Sequence, residues 1–270
     1  GRTSTAEHGA VTTMPTPDPH AAAPLDPDRI DAVLFDYGNT LIEFTRPQIA
    51  HCDRAFTAQL HEYFGPHDAQ AYESIRRHHV TVYTGDHREN TPSQIVAETV
   101  GQLYQRDASA EQIDALVRVR REAFVKAIDL PDYVVPLLDR LRRRYRLGLV
   151  SNFPCGASIR DSLDAIGLAS HFDTVVVSGD VGYVKPHPAP FERALAEMGV
   201  EPHRALYVGA NWLGDIQGAK RLGMAAVHTT QFDTPEVFDR QPDHHDADLV
   251  ITHLRELEAH LLSRAPQARP

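Results

Sequence analysis

Between about residues 131 and 262 the chain alternates helical patterns with short runs of buried-type residues, and this alternation most constrains its fold. Helical patterns over 134–144, 157–166, 188–198 and 213–222 each accompany a strand-like run: Arg146–Ser151, Thr174–Val177, Ala205–Val208 and Ala225–His228. A last run, Leu249–Ile251, precedes a terminal helix. Repeating units of this kind predict a doubly wound, mainly parallel α/β sheet with helices on both faces.

A further strand is predicted upstream, at about 31–36, where Val33-Leu34-Phe35 ends on Asp36 and Gly38-Asn39 reads as a sharp turn. The texture then changes. Ile49, Phe56, Leu60 and Phe64 recur at helical spacing, as do Tyr72, Ile75, His79 and Val82. Thr91-Pro92-Ser93-Gln94 and Ser109-Ala110-Glu111-Gln112 each read as a capping box opening another helix. The expected organisation is an α/β core over 28–45 and 131–262, interrupted at 46–130 by about four helices. Residues 1–27, rich in proline, read as a flexible tail with Met14 as a candidate start, and 263–270 as a C-terminal tail.

With 27 basic and 37 acidic side chains the formal charge is −10, which disfavours nucleic acid as a partner. Arg142-Arg143-Arg144, a lone basic block, is expected on the exposed side of a helix. Cys52 and Cys155 are too few for a disulfide framework or a cysteine-rich metal site. No run is long and apolar enough to suggest a membrane span or a secretory leader, so the cytoplasm is the expected location.

In open α/β sheets ligands bind outside the carboxyl ends of the strands. Four polar groups fall there: Asp36, Ser151 with Asn152, Lys185 and Asp215. Each alone has an ordinary reading as a turn residue, a solvated lysine or a helix-start carboxylate. Their order, each after a strand, favours a shared site in which an aspartate can act as a nucleophile.

The chain resembles the haloacid dehalogenase-like hydrolase superfamily, in its helical-cap subfamily. The similarity lies in Phe35-Asp36-Tyr37-Gly38-Asn39-Thr40-Leu41, Leu149-Val150-Ser151-Asn152, Val181 through Pro188, and Val208 through Ala219, and it covers about 29–262. The resemblance implies a core with a helical cap over the site. Asp36 would be the nucleophile that forms an aspartyl intermediate, Ser151 would hydrogen-bond the transferred group, and Lys185 would offset negative charge. Thr40 would brace the first loop. Asp36, the Gly38 carbonyl and Asp215 would hold magnesium. Tyr37, Gly38, Thr40, Asn152 and Asn211 would face a small, anionic, phosphorylated substrate.

Two positions depart from the family pattern. Phosphatases of the superfamily usually carry a second aspartate two residues after the nucleophile, which protonates the leaving group; here that residue is Gly38. The fourth motif has Ala210 where an acidic magnesium ligand is usual, and Asn211 offers only a neutral oxygen. Three readings are therefore open. First is a phosphohydrolase acting on a leaving group that needs little protonation, or using a proton supplied from elsewhere. Second is metal-independent attack at carbon, as in the family dehalogenases. Those have a tyrosine at the Gly38 position, a second one where this chain has Phe191, and a halide-binding arginine that cannot be placed here. Third is an impaired homologue that binds a ligand or partner.

Asp243-His244-His245-Asp246 reads as a solvated loop, His79 as a core residue, Arg46 as a hinge residue that could approach an anion, and Cys155 as non-catalytic. Trp212 would narrow the pocket.

Overall fold

An all-parallel sheet of six strands forms the centre of the computed structural model, which describes residues 25–79, 85–232 and 247–263. Its strands are β1 (Ala32–Phe35), β2 (Arg146–Ser151), β3 (Thr174–Val177), β4 (Ala205–Gly209), β5 (Ala225–Thr229) and β6 (Leu249–Ile251). They lie in the order β3-β2-β1-β4-β5-β6. All four residues of β1 are buried, as a central strand requires. Val33 and Phe35 join the core on one face, while Ala32 and Leu34 join the core on the other. The chain winds outward from β1 to β3, then returns past β1 to begin β4. Loops leaving β1 and β4 therefore diverge, and such a reversal of strand order opens a crevice at the carboxyl ends. Phe35 lies opposite Leu149 of β2 and Val208 of β4, so Asp36 emerges level with both neighbours.

Helices α1 (Arg46–Phe64), α2 (Ala69–His79), α3 (Pro92–Tyr104) and α4 (Ala110–Ala127) follow β1. They enclose an apolar cluster of their own around Phe56, Leu60, Tyr72, Val96, Val100 and Leu116. Reciprocal capping boxes open α3 and α4: Thr91 and Ser109 accept from the backbone of Gln94 and Gln112, whose side chains accept in return. The core continues with α5 (Val134–Leu141), α6 (Gly156–Ala165), α7 (Ser178–Val181), α8 (Pro188–Met198), α9 (Gly218–Arg221) and α10 (Glu256–Leu261).

Several details differ from the sequence reading. The helix expected over 134–144 stops at Leu141, and Arg142–Arg144 form a turn, not a helix face. Arg144 leaves the helix register to pair with Asp28 and to donate to the Leu261 carbonyl, tying both ends of the core together. The helix expected over 213–222 begins as a π-helix, Trp212–Gln217, before α9. His79 ends α2 with its side chain 12% exposed and Nδ1 3.8 Å from Glu98. Leu25 and Pro27, assigned to the tail, pack against or into the core. Residues 243–246, Val82 and the tails over 1–24 and 264–270 lie outside the described residues. Among the described residues no helix is long and apolar enough to cross a membrane.

Replacing a capping hydroxyl removes the acceptor for one otherwise orphaned amide. Thr91→Ala and Ser109→Ala are each expected to cost about 1 kcal/mol. The two caps open different helices, so in urea unfolding the double variant should lose about the sum, ~2 kcal/mol.

Candidate active site

The loop after β1 is a tight turn closed on itself. The Asp36 amide still donates to the Val208 carbonyl at 2.9 Å, and the Leu41 amide donates to the Tyr37 carbonyl at 2.9 Å. Asn39 has φ 59°, a left-handed conformation that asparagine tolerates better than most residues. Its side chain grips Phe44 from both sides, accepting from the amide at 2.8 Å and donating to the carbonyl at 3.2 Å. Thr40 Oγ1 donates to Asp36 Oδ2 at 3.2 Å. Tyr37 departs from its expected placement. Its ring is buried in the core and its hydroxyl meets Ser162 Oγ at 2.9 Å, so it offers the crevice only its backbone.

Lys185 comes from the loop after α7 and is 2% exposed, a burial that a lysine tolerates only when its charge is met. Its Nζ lies 2.9 Å from Asp36 Oδ1, 2.6 Å from Asp215 Oδ1, 2.7 Å from the Tyr207 hydroxyl and 2.8 Å from the Val150 carbonyl. Four oxygens surround three N–H donors, so one contact is shared. Tyr207 passes its own proton to the Val150 carbonyl at 2.8 Å. The lysine backbone is clamped as well: its amide donates to Asn152 Oδ1 at 2.8 Å, and Asn152 Nδ2 donates to its carbonyl at 3.0 Å. Asn152 thus locks the loops after β2 and α7 together. Ser151, buried beside it, ends β2.

Asp215 is held by the π-helix. Its second oxygen, Oδ2, accepts from the Asn211 amide at 2.9 Å. Asn211 Oδ1 in turn accepts from the Gly214 amide at 2.7 Å, capping the wide turn. A Cβ on Gly209 would lie 2.4 Å from the Asp215 carboxyl, so only glycine lets the carboxylate reach the end of β4. These commitments bear on magnesium. Asp215 has given one oxygen to the ammonium and one to an amide, Asn211 has given its oxygen to a cap, and Ala210 has none. Magnesium requires an octahedron of oxygens, several of them anionic or water. Among the described residues no three His, Cys, Asp or Glu side chains converge; the groups that would hold the ion are the Asp36 and Asp215 carboxylates, whose oxygens keep lone pairs beyond these hydrogen bonds, and the Gly38 carbonyl.

Burial, then the neighbouring Asp215, pushes the Asp36 carboxyl up to about 6, while Lys185 pulls it back. Burial works against the Lys185 charge, but Asp215 and Asp36 outweigh it and hold the ammonium above its ordinary range. Burial and the same two carboxylates raise the Tyr207 hydroxyl well above 10.

Three groups near these loops escape the sequence reading. Tyr207 is one; its only signal is a tyrosine inside an otherwise apolar central strand, where the hydroxyl must find a partner. The second is Glu89, which accepts from Ser178 Oγ at 2.6 Å, while Phe153 N donates to that same Ser178 oxygen at 2.8 Å. The Glu89 amide donates to the Gly182 carbonyl at 3.0 Å and the Val184 amide to the His87 carbonyl at 2.8 Å, stitching the segment before α3 to the lysine loop. Burial raises the Glu89 carboxyl above its usual range. The third is an aromatic strip: Phe44 lies 5.2 Å from Phe124, and Phe124 lies 4.5 Å from Phe153, between ring centroids. Trp212, expected at the pocket, is instead buried in the core under the sheet, with Phe191 in the same cluster. Arg46 is exposed at the start of α1, and Cys155 lines a groove of about 550 Å³ between α4 and α6.

A family model described as haloacid dehalogenase-like hydrolase matches residues 30–223. A phosphoserine phosphatase of Thermus thermophilus is 32% identical over 177 residues, covering 66% of this chain and 68% of that protein. A glyceraldehyde 3-phosphate phosphatase of Methanothermobacter thermautotrophicus is 39% identical over 99 residues, 36% of this chain and 42% of that protein, so the match spans under half of that relative. The crystal structure of a 2-haloacid dehalogenase from Pseudomonas syringae superposes with a TM-score of 0.68 at 24% identity, covering 87% of this chain and all of that one; it attests the fold.

Lys185→Met would leave two buried carboxyls facing each other without a cation, a loss of about 3–5 kcal/mol at neutral pH. Without the lysine the Asp36 carboxyl, already raised by burial, stays above its unfolded value, so stability falls as pH rises through it. Urea unfolding should therefore show a smaller deficit at pH 5 than at pH 8.

Proposed function

The chain belongs to the haloacid dehalogenase-like hydrolase family, and from that premise we propose that it is a phosphohydrolase acting through Asp36 on a small anionic phosphorylated metabolite. One observation carries the reading: the Asp36 carboxylate stands at the switch point of the sheet with the Lys185 ammonium 2.9 Å away. That pairs a carboxylate nucleophile with a fixed cation in a water-poor setting, where charge stabilisation is strongest. The phosphatases among its relatives support the same chemistry.

Asp36 attacks phosphorus, and Thr40 and Lys185 hold its two oxygens in line. Ser151 and the amides beside it receive the phosphoryl oxygens. Asn152 keeps the Ser151 and Lys185 loops at a constant separation, and Asp215 keeps the ammonium in place. The helices between β1 and α5 act as a cap that shields the intermediate from bulk water and contacts the substrate. Asp36, Asp215 and the Gly38 carbonyl would hold a magnesium ion, which would offset phosphoryl charge beside Lys185.

A second reading, attack of Asp36 at carbon, is favoured by one observation: Gly38 and Ala210 leave the crevice without the extra acids of a phosphatase site. A panel of phosphate esters, acyl phosphates and 2-haloacids, run with magnesium and with a chelator, separates the two. Phosphate release lost in Asp36→Asn is the expected result; halide release without phosphate would replace it with the second reading. The nucleophile must be ionised, so kcat/KM should rise with pH through about 6, following the raised Asp36 carboxyl.

A further inference from the structure

We propose that the leaving group of the substrate is a weakly basic, apolar oxygen acid, a phenol or a carboxylic acid, and not an aliphatic alcohol. This rests on the phosphohydrolase reading above and names its substrate class.

What can leave depends on the proton donors available. An alkoxide is a poor leaving group unless a positioned acid protonates it as the bond breaks, an effect that contributes about a hundred- to ten-thousand-fold. Among the described residues, the carboxyls near these loops are otherwise engaged. Asp36 and Asp215 are both ion-paired with Lys185. Glu89 accepts from Ser178 Oγ at one oxygen and from the Asn90 amide at the other. Tyr207 gives its proton to the Val150 carbonyl beneath the lysine. Thr40, Ser151, Asn152 and Asn211 are neutral groups that do not act as acids near neutral pH.

Beside Gly38, two residues on from the nucleophile, stands an apolar side chain. A Cβ on Gly38 would meet Phe44 Cβ at 3.6 Å, an ordinary contact, and Gly38 has no positive φ. The fold therefore has room for a side chain at 38 and does not itself require glycine there. Phe44 is pinned through its backbone by Asn39, and its ring leads through Phe124 to Phe153, next to Asn152. Phe44 and Phe153, both half-buried, follow the Asp36 and Ser151 loops with Phe124 buried between them, so an apolar leaving group would gain contact at the two ends where a polyol would lose hydration.

The steps balance without an acid. An Asp36 oxygen bonds phosphorus as the phosphorus–oxygen bond to the leaving group breaks, and that electron pair departs on the phenoxide or carboxylate. Water then adds to phosphorus, its two protons stay on the phosphate, and Asp36 returns as a carboxylate.

The test is leaving-group dependence: kcat/KM for phenyl phosphates of graded acidity, acetyl and benzoyl phosphate, and alkyl phosphates such as glycerol phosphate. A rate rising steeply with leaving-group acidity, with alkyl esters about a hundredfold or more below aryl and acyl ones, is expected. Gly38→Asp should narrow that gap by raising alkyl turnover, while Gly38→Ala should not. Benzoyl phosphate exceeding acetyl phosphate, with the difference reduced in Phe44→Ala, would assign the apolar preference to the strip. Equal rates for alkyl and aryl esters would overturn the inference and leave the phosphohydrolase standing; phosphate from no substrate would remove both.

Discussion

One buried cation organises the carboxyl end of this sheet. The Lys185 ammonium joins the loop after β1 through Asp36, the carbonyl end of β2 through Val150, strand β4 through Tyr207, and the π-helix through Asp215. An unpaired buried ammonium or carboxylate would each cost several kcal/mol, so the three charges hold one another in place. The residues that surround them are constrained for the same reason. Gly209 lacks a Cβ because Asp215 lies where it would be, Asn152 grips the lysine backbone, and Tyr207 supplies an oxygen that an aliphatic strand residue could not.

The α/β architecture was legible because it is written in local patterns. The runs at Arg146–Ser151, Thr174–Val177 and Leu249–Ile251 became strands with those bounds, and the capping boxes at Thr91 and Ser109 opened the helices they signalled. What escaped was long-range or depended on register. A π-helix shifts its hydrogen bonds by one residue, from i+4 to i+5, so a 3.6-residue pattern reads through Trp212–Gln217 without detecting it. Arg144 leaves its helix because Asp28, 116 positions earlier, awaits it in space. Tyr37 sits in a motif yet turns its ring to Ser162, a partner 125 positions away.

The proposed site was legible to a similar depth. Its charged members were visible as polar residues after apolar runs, and the structure gathers Asp36, Lys185 and Asp215 within hydrogen-bonding distance. That Asp215 commits both oxygens, and Asn211 its one, could not be read from spacing, because it depends on how far the π turn carries the carboxylate back toward β4. The absence of side-chain acids at Gly38 and Ala210, by contrast, was plain from the residues themselves.

The stitch between 87–89 and 182–184 bears on mechanics. The helical insert is joined to the core by two chain crossings, before Arg46 and after Ala127, and a body on two tethers can swing like a door. Here Phe124 of α4 packs on Phe153 and Arg121 pairs with Asp161 of α6, and two backbone hydrogen bonds add a further attachment to the segment that runs directly into Lys185. Any swing of the insert must either break those bonds or draw on the lysine loop. Opening and the geometry of the ammonium are then no longer independent variables, and an external load on α2 or α3 would reach the charge centre as tension along three residues of backbone.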